Sequence, residues 1–191
     1  RIRMTPTDFI ARWQKATGSE LANAQLFVTE LCEFLALPRP NPATGTAEDD
    51  AYVFERRAQH IDGNGSENER RIDCYKRGCF VLEAKKIKAG AHTKGFDNAR
   101  LLAHSQAQAY ARDIPASEGR VPFIMVVDVG HFIELYSEFT QSGATYTPFP
   151  DPRSHRIGLA DLAKPEIQAR LKALWLDPTS LNPARQSAKV T

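Results

Sequence analysis

The sequence predicts an α/β fold in which a mixed central β-sheet is flanked by helices. Three observations carry that prediction. An amphipathic helical pattern occupies residues 21–35, an acid-bearing hairpin occupies residues 71–85, and a helix-like stretch at 96–112 precedes an apolar run at 121–128. A helix followed by a buried strand implies a crossover connection, and a tight hairpin implies antiparallel pairing, so the sheet is expected to contain both directions.

The elements follow in order along the chain. Thr5-Pro6-Thr7-Asp8 reads as a helix start, with Thr5 at the cap and an acid in the first turn. Phe9, Ile10 and Trp13 then have helical spacing. Thr17-Gly18 ends that segment, and Ser19 can cap the next. Leu21, Ala24, Phe27, Val28, Leu31, Cys32 and Leu35 repeat with a period near 3.6 residues. Residues 38–50, rich in Pro, Ala, Gly and Asp, read as a loop. Tyr52-Val53-Phe54-Glu55 is the first predicted strand, and Gly63-Asn64-Gly65-Ser66 is a turn. Arg71-Ile72-Asp73-Cys74-Tyr75 and Phe80-Val81-Leu82-Glu83-Ala84-Lys85 are strands joined at Lys76-Arg77-Gly78, where glycine accepts a left-handed backbone. Residues 90–95 read as a flexible basic loop. Ala, Leu and Gln make residues 96–112 helical. The apolar run at 121–128 is a buried strand, and Gly130-His131 turns into another at 131–136. A last helix covers 165–175, with Pro165 in its first turn. The polar segment after Asp177-Pro178 is expected to lack order. Residues 1–40 are thus an N-terminal helical part, 41–176 the core and 177–191 a polar tail.

Composition narrows the classes. A chain of 191 residues with 42% hydrophobic residues fits one globular domain. No run of 18 apolar residues marks a membrane span, and no apolar signal segment opens the chain. Cys32, Cys74 and Cys79 are odd in number and contain no Cys-x-x-Cys, which argues against a disulfide framework and for a cytoplasmic location with buried thiols. His60, His92, His104, His131 and His155 lack zinc-ligand spacing and are expected at the surface or partly buried. A nucleophile elbow and a phosphate loop are both missing, which removes the common small-molecule hydrolase patterns. The net charge of +2 does not identify a nucleic-acid binder. Its distribution is more specific: Lys85, Lys86, Lys88, His92 and Lys94 follow the hairpin, and Arg56, Arg57, Arg70 and Arg71 precede it. Such groups attract phosphates through a salt-dependent term. The alternative is an ordinary solvated basic surface.

The hairpin carries the chemistry. Strand alternation puts Val81, Glu83 and Lys85 on one face and Phe80, Leu82 and Ala84 on the other. The turn brings Asp73 near Glu83. Two carboxylates and the Ala84 carbonyl can supply the protein oxygens of a magnesium or manganese site. A cation there would acidify a water and offset charge on a scissile phosphate, with Lys85 orienting or deprotonating the water or stabilising the transition state. The alternative is a surface ion pair on an ordinary strand. Glu55 is a candidate accessory ligand, with an ion pair to a neighbouring arginine as the alternative. Gln106 and Tyr110, four residues apart, share a helix face.

Asp73 and Glu83-Ala84-Lys85 resemble the signature of the PD-(D/E)XK nuclease superfamily. Gln106-Ala107-Gln108-Ala109-Tyr110 resembles the Gln-xxx-Tyr signature of its RecB-like branch. Softer similarities link Phe9-Ile10-Ala11-Arg12-Trp13, Ser19-Glu20, Phe27-Val28-Thr29-Glu30-Leu31-Cys32, Tyr52-Val53-Phe54-Glu55, Val126-Val127-Asp128-Val129-Gly130 and Ile133-Glu134-Leu135-Tyr136 to the N-terminal nuclease region of MmeI-like type IIL restriction–modification enzymes. The resemblance implies a restriction-endonuclease-like core acting on double-stranded DNA, with possible dimerisation on that DNA. It implies Glu20 as an acid offered by the N-terminal helix, for which favourable placement at a helix N-terminus is the alternative. It also implies a substrate-facing role for Gln106 and Tyr110, against a packed Tyr and a solvated Gln. Family members continue through a helical connector into an S-adenosylmethionine-dependent adenine methyltransferase and a target-recognition domain. Neither a Gly-rich methyl-donor loop nor Asn-Pro-Pro-Tyr occurs here, so this chain, opening on Arg1 and closing on a polar tail, is expected to be the nuclease part of a longer enzyme. A non-catalytic nucleic-acid-binding or assembly module on the same fold is the competing reading.

Overall fold

The computed structural model describes residues 3–16, 20–85 and 94–188, leaving aside the side chains of Glu20, Leu21, Phe96 and Ala188. Helix α1 (Pro6–Gln14) starts as predicted: Thr5 Oγ1 accepts the Asp8 N–H at 3.1 Å, and Pro6 occupies the first turn. Its buried Phe9 and Trp13 meet Phe27 of α2 (Glu20–Phe34), with ring centroids 5.6 and 5.1 Å apart. Strands β1 (Tyr52–Ile61) and β2 (Glu67–Lys76) form a long antiparallel hairpin, and β3 (Phe80–Ala84) turns back antiparallel to β2. Gly78 in that turn has φ +72°, the left-handed backbone the sequence anticipated.

Helix α3 (Lys94–Asp113) is the expected crossover, and β4 (Phe123–Asp128) lies parallel to β3. β5 (Phe132–Ser137) runs antiparallel to β4, and the short β6 (Thr147–Pro148) and β7 (Arg156–Gly158) both pair with β5. The seven-stranded sheet has the order β1-β2-β3-β4-β5-β6, with β7 off that path. It is the mixed α/β architecture read from the sequence.

Two apolar layers cover the sheet. On one face α1, α2 and α4 (Pro165–Leu176) pack on Phe80, Leu82, Ala84, Phe123, Met125 and Val127. Trp175 of α4 stacks near Phe80, with ring centroids 4.5 Å apart, and its indole N–H donates to the Tyr52 hydroxyl at 2.9 Å. That hydroxyl donates in turn to the Pro38 carbonyl at 2.7 Å, tying the loop after α2 to α4. On the other face α3 buries Ala103, Ala107 and Ala111 against Val81, Ile124 and Val126. Small side chains at every fourth position let this helix lie close to the strands. Cys32, Cys74 and Cys79 are free and buried, and burial pushes the Cys32 thiol up to about 11.

Several boundaries differ from the sequence reading. β1 continues to Ile61 and β2 begins at Glu67, because the distal hairpin exposes Arg57, Gln59, Glu69 and Arg71 and so lacks a clean apolar period. Lys94 and Gly95 belong to the first turn of α3 rather than to a loop. β6 and β7 are too short to leave a recognisable alternation. The described residues after Asp177 are ordered: a 3-10 turn (Pro178–Leu181) leads to α5 (Pro183–Ala188), anchored by buried Pro178 and by Leu181 against the core.

Arg56 is also corrected. The sequence grouped it with phosphate-attracting arginines, yet its side chain is 1% exposed and pairs with Glu118 at 2.7 Å. Arg77 Nη2 and the Tyr75 hydroxyl donate to the same carboxylate at 2.9 and 3.1 Å. Glu118→Ala would leave a guanidinium buried without its anion, so we expect a loss of about 3–5 kcal/mol in chemical denaturation. Arg56→Met combined with Glu118→Leu should recover most of it, and equal losses in the single and double variants would contradict this role.

Candidate active site

The site is built on β2 and β3, next to a break in strand alternation. Phe54 packs with the α1/α2/α4 layer, whereas Ala58 lies with α3. Between them Glu55 adopts φ +52°, a left-handed backbone that costs a non-glycine residue about 1–2 kcal/mol. The neighbouring strand changes face at the opposite position, with Ile72 in the α3 layer and Cys74 in the other. Asp73 sits at that step. Regular β2–β3 pairing ends at Cys74 and Leu82, and beyond it the Asp73 carboxylate accepts the Ala84 N–H at 2.7 Å.

Glu83 follows on β3. Its side chain is 3% exposed and pairs through Oε1 with Lys85 Nζ at 2.9 Å, while Lys85 itself is 35% exposed. Among the described residues, no donor reaches Glu83 Oε2, which is buried. Asp73 lies close enough to raise its pKa by charge. Burial is the larger cause, and together they lift the Glu83 carboxyl from 4.5 to about 7, with Lys85 opposing. Two acids facing each other with one buried oxygen lacking a donor form an arrangement that a divalent cation satisfies. The residues therefore fit magnesium or manganese, with Asp73 and Glu83 as its carboxylates. Among the described residues no cluster of three or more His, Cys, Asp or Glu side chains has metal-holding geometry.

The sequence candidates separate clearly. Tyr110 on α3 is half-buried, and its hydroxyl is shifted upward by burial first and then by the charge of Glu83. The Arg70 guanidinium lies 5.8 Å from its ring centre. Gln106, one turn earlier, has a buried Oε1 with no donor among the described residues. The exposed Glu55 carboxylate is 3.8 Å from Arg71 Nη1. Arg57 likewise lies 3.8 Å from Glu69, and Arg70 lies 3.9 Å from Asp113. Glu20 opens α2, but its side chain lies outside the described residues; Ala24, Val28, Glu55 and Asp73 line a small cleft beside the site. Lys86, Lys88 and His92 also lie outside the described residues, and Lys94 is exposed in the first turn of α3.

A second polar cluster was missed in the sequence. Glu134 on β5 is 0% exposed, and His155 Nε2 lies 2.8 Å from its Oε2. His155 is thus buried rather than superficial. The available signal was an acid inside the apolar run Phe132-Ile133-Glu134-Leu135-Tyr136.

The chain matches the family described as MmeI, N-terminal domain, over residues 4–189. It belongs to that family. No curated protein and no solved structure matches the chain significantly. Membership of the MmeI N-terminal family makes this a restriction-enzyme-related domain. Among the described residues no helix is long and apolar enough to cross a membrane.

The raised Glu83 pKa has a defined sign. The fold favours the neutral carboxyl, so the stabilisation is complete below about 4.5 and is lost as pH rises through about 7. The cation-free domain should lose stability over this interval, on the order of 3 kcal/mol. Glu83→Gln should flatten that dependence and be the more stable protein at pH 8 in chelator. Thermal melts of both proteins at pH 5 and pH 8 check this, and parallel pH slopes would refute it.

Proposed function

We propose that this domain is a magnesium- or manganese-dependent DNA endonuclease module of a restriction–modification enzyme, hydrolysing phosphodiester bonds. One observation carries the reading: the buried Glu83 carboxylate faces Asp73 with one oxygen lacking a donor and the other on Lys85. A module that only bound nucleic acid would gain nothing from two apposed acids, one of them buried.

Asp73, Glu83 and the Ala84 carbonyl would hold the cation, which when bound acidifies water and neutralises charge on the scissile phosphate. Asp73 is kept in position by the Ala84 amide. Glu83 Oε1 fixes the Lys85 ammonium, which is part-exposed and has further N–H donors to orient a water or to stabilise charge on a phosphate oxygen. Tyr110 borders the carboxylates from α3 and helps exclude solvent there, with Gln106 one turn earlier on the same helix. Lys86, Lys88, His92 and Lys94 remain candidate backbone contacts. Double-stranded DNA is the proposed partner, with a fused methyltransferase that uses S-adenosylmethionine and a target-recognition domain completing the full-length protein in a cytoplasmic setting.

Plasmid digestion by the full-length enzyme tests this. With magnesium, Asp73→Ala and Lys85→Ala should each reduce cleavage about 100- to 1,000-fold, the loss typical of removing one charge-stabilising group, while DNA binding and methylation persist. Cutting at the wild-type rate by both variants would end the assignment.

A further inference from the structure

Hydrolysis of a phosphodiester releases an alkoxide, a poor leaving group unless a general acid protonates it. The roles given above to Asp73, Glu83 and Lys85 cover the cation, the attacking water and the phosphate charge, and none of them supplies that proton.

In open α/β sheets ligands are met at the carboxyl ends of parallel strands. β3 and β4 are parallel, and their pairing runs on past Ala84 and Val127, because the Lys85 N–H donates to the Val127 carbonyl at 2.7 Å. Lys85 and Asp128 therefore lie side by side, one strand spacing of about 4.8 Å apart. Both continue the alternation of Glu83 and Val126, so they share the sheet face that carries Glu83. Asp128 is 4% exposed, and its Oδ1 lies 3.2 Å from Nδ1 of His131, whose side chain is 65% exposed.

The histidine stands on a braced turn. The His131 N–H donates to the Asp128 carbonyl at 2.9 Å, and the Leu159 N–H donates to the His131 carbonyl at 2.9 Å. Gly130, with φ +85°, packs so closely on α1 that a Cβ there would come within 2.8 Å of the Trp13 carbonyl oxygen. A carboxylate facing Nδ1 holds a proton on that nitrogen and turns Nε2 away from the protein. Among the described residues no hydrogen bond reaches Nε2. The other described histidines are committed elsewhere: His155 to Glu134 and the Pro152 carbonyl, His60 to Asp113 and Asp62, and His104 Nε2 to the Tyr146 carbonyl.

We infer that His131, oriented by buried Asp128, is the general acid that protonates the leaving oxygen of the phosphodiester. This rests on the nuclease reading of Asp73, Glu83 and Lys85. Water attacks phosphorus and gives up a proton to solvent. As the new P–O bond forms, the bond to the leaving oxygen breaks, and its electron pair stays on that oxygen and takes the proton from His131 Nε2. The neutral imidazole, still donating through Nδ1 to Asp128, is reprotonated from solvent. Asp128 is a positioning residue.

The test uses the full-length enzyme, manganese and two duplexes spanning the cut mapped on plasmid DNA. One is unmodified, and the other carries sulfur in place of the leaving oxygen. A thiolate is a far weaker base than an alkoxide, with an ordinary thiol pKa of about 8.5, so it departs with little need of an acid. His131→Ala should lower kcat on the oxygen duplex about 100-fold, a typical contribution of one general acid, and cut the sulfur duplex at the wild-type rate. Its affinity for the oxygen duplex in cation-free buffer should stay at the wild-type value. Asp128→Asn should show a smaller kcat loss with the same recovery on sulfur. His131 is exposed, so its variant reports even where Asp128→Asn disturbs the turn. Equal slowing of His131→Ala on both duplexes, or wild-type cutting of the oxygen duplex, overturns the acid and leaves the nuclease reading intact. Wild-type cutting by both Asp73→Ala and Lys85→Ala overturns the nuclease reading and the acid with it.

Discussion

Glu83 is placed in the middle of a sheet, shielded from water, opposite another acid and satisfied on only one oxygen. A folded chain holds a carboxyl group in that condition in one of two ways, by keeping a proton on it or by giving it a cation. Lys85 provides part of the answer through Oε1. The remaining demand organises the neighbourhood. The step in β1 and β2 brings Asp73 across, the Ala84 amide steadies it, and α3 closes the side where Tyr110 stands.

Three of the buried carboxylates among the described residues are handled differently, and the differences separate structure from chemistry. Glu118 is saturated by Arg56, Arg77 and Tyr75, and it pins β1 and β2 to the turn after α3. Glu134 has several partners on one oxygen and, among the described residues, none on the other. Glu83 has one cationic partner and one acidic neighbour. Only the first resembles an ion pair retained for stability. The other two keep unmet capacity inside the protein, a destabilising state that binding can relieve.

The hairpin from Asp73 to Lys85 was legible because its evidence is local: a glycine turn, strand alternation and acids interrupting an apolar run. The Thr5 cap and the α2 stripe were legible for the same reason. What escaped depends on contacts distant in sequence. Arg56 looked like one more basic residue, and its burial follows from Glu118, sixty-two positions away. Glu134 and His155 meet only because β7 folds back on β5. The left-handed backbone at Glu55 has no signature in residue type, since glycine or asparagine would be the ordinary choice there. Its charge drew attention to Glu55, and its backbone also shapes the neighbourhood of Asp73.

The alanine row of α3 has a metric consequence. With Ala103, Ala107 and Ala111 seated directly on the strands, the helix has little freedom to rise or slide. Arg100 and Tyr110 then stand about 15 Å apart along a rigid rod, at about 1.5 Å per residue. The distance between the two polar stations is set by helical pitch rather than by loop conformation. Only an insertion or deletion within α3 could rescale it.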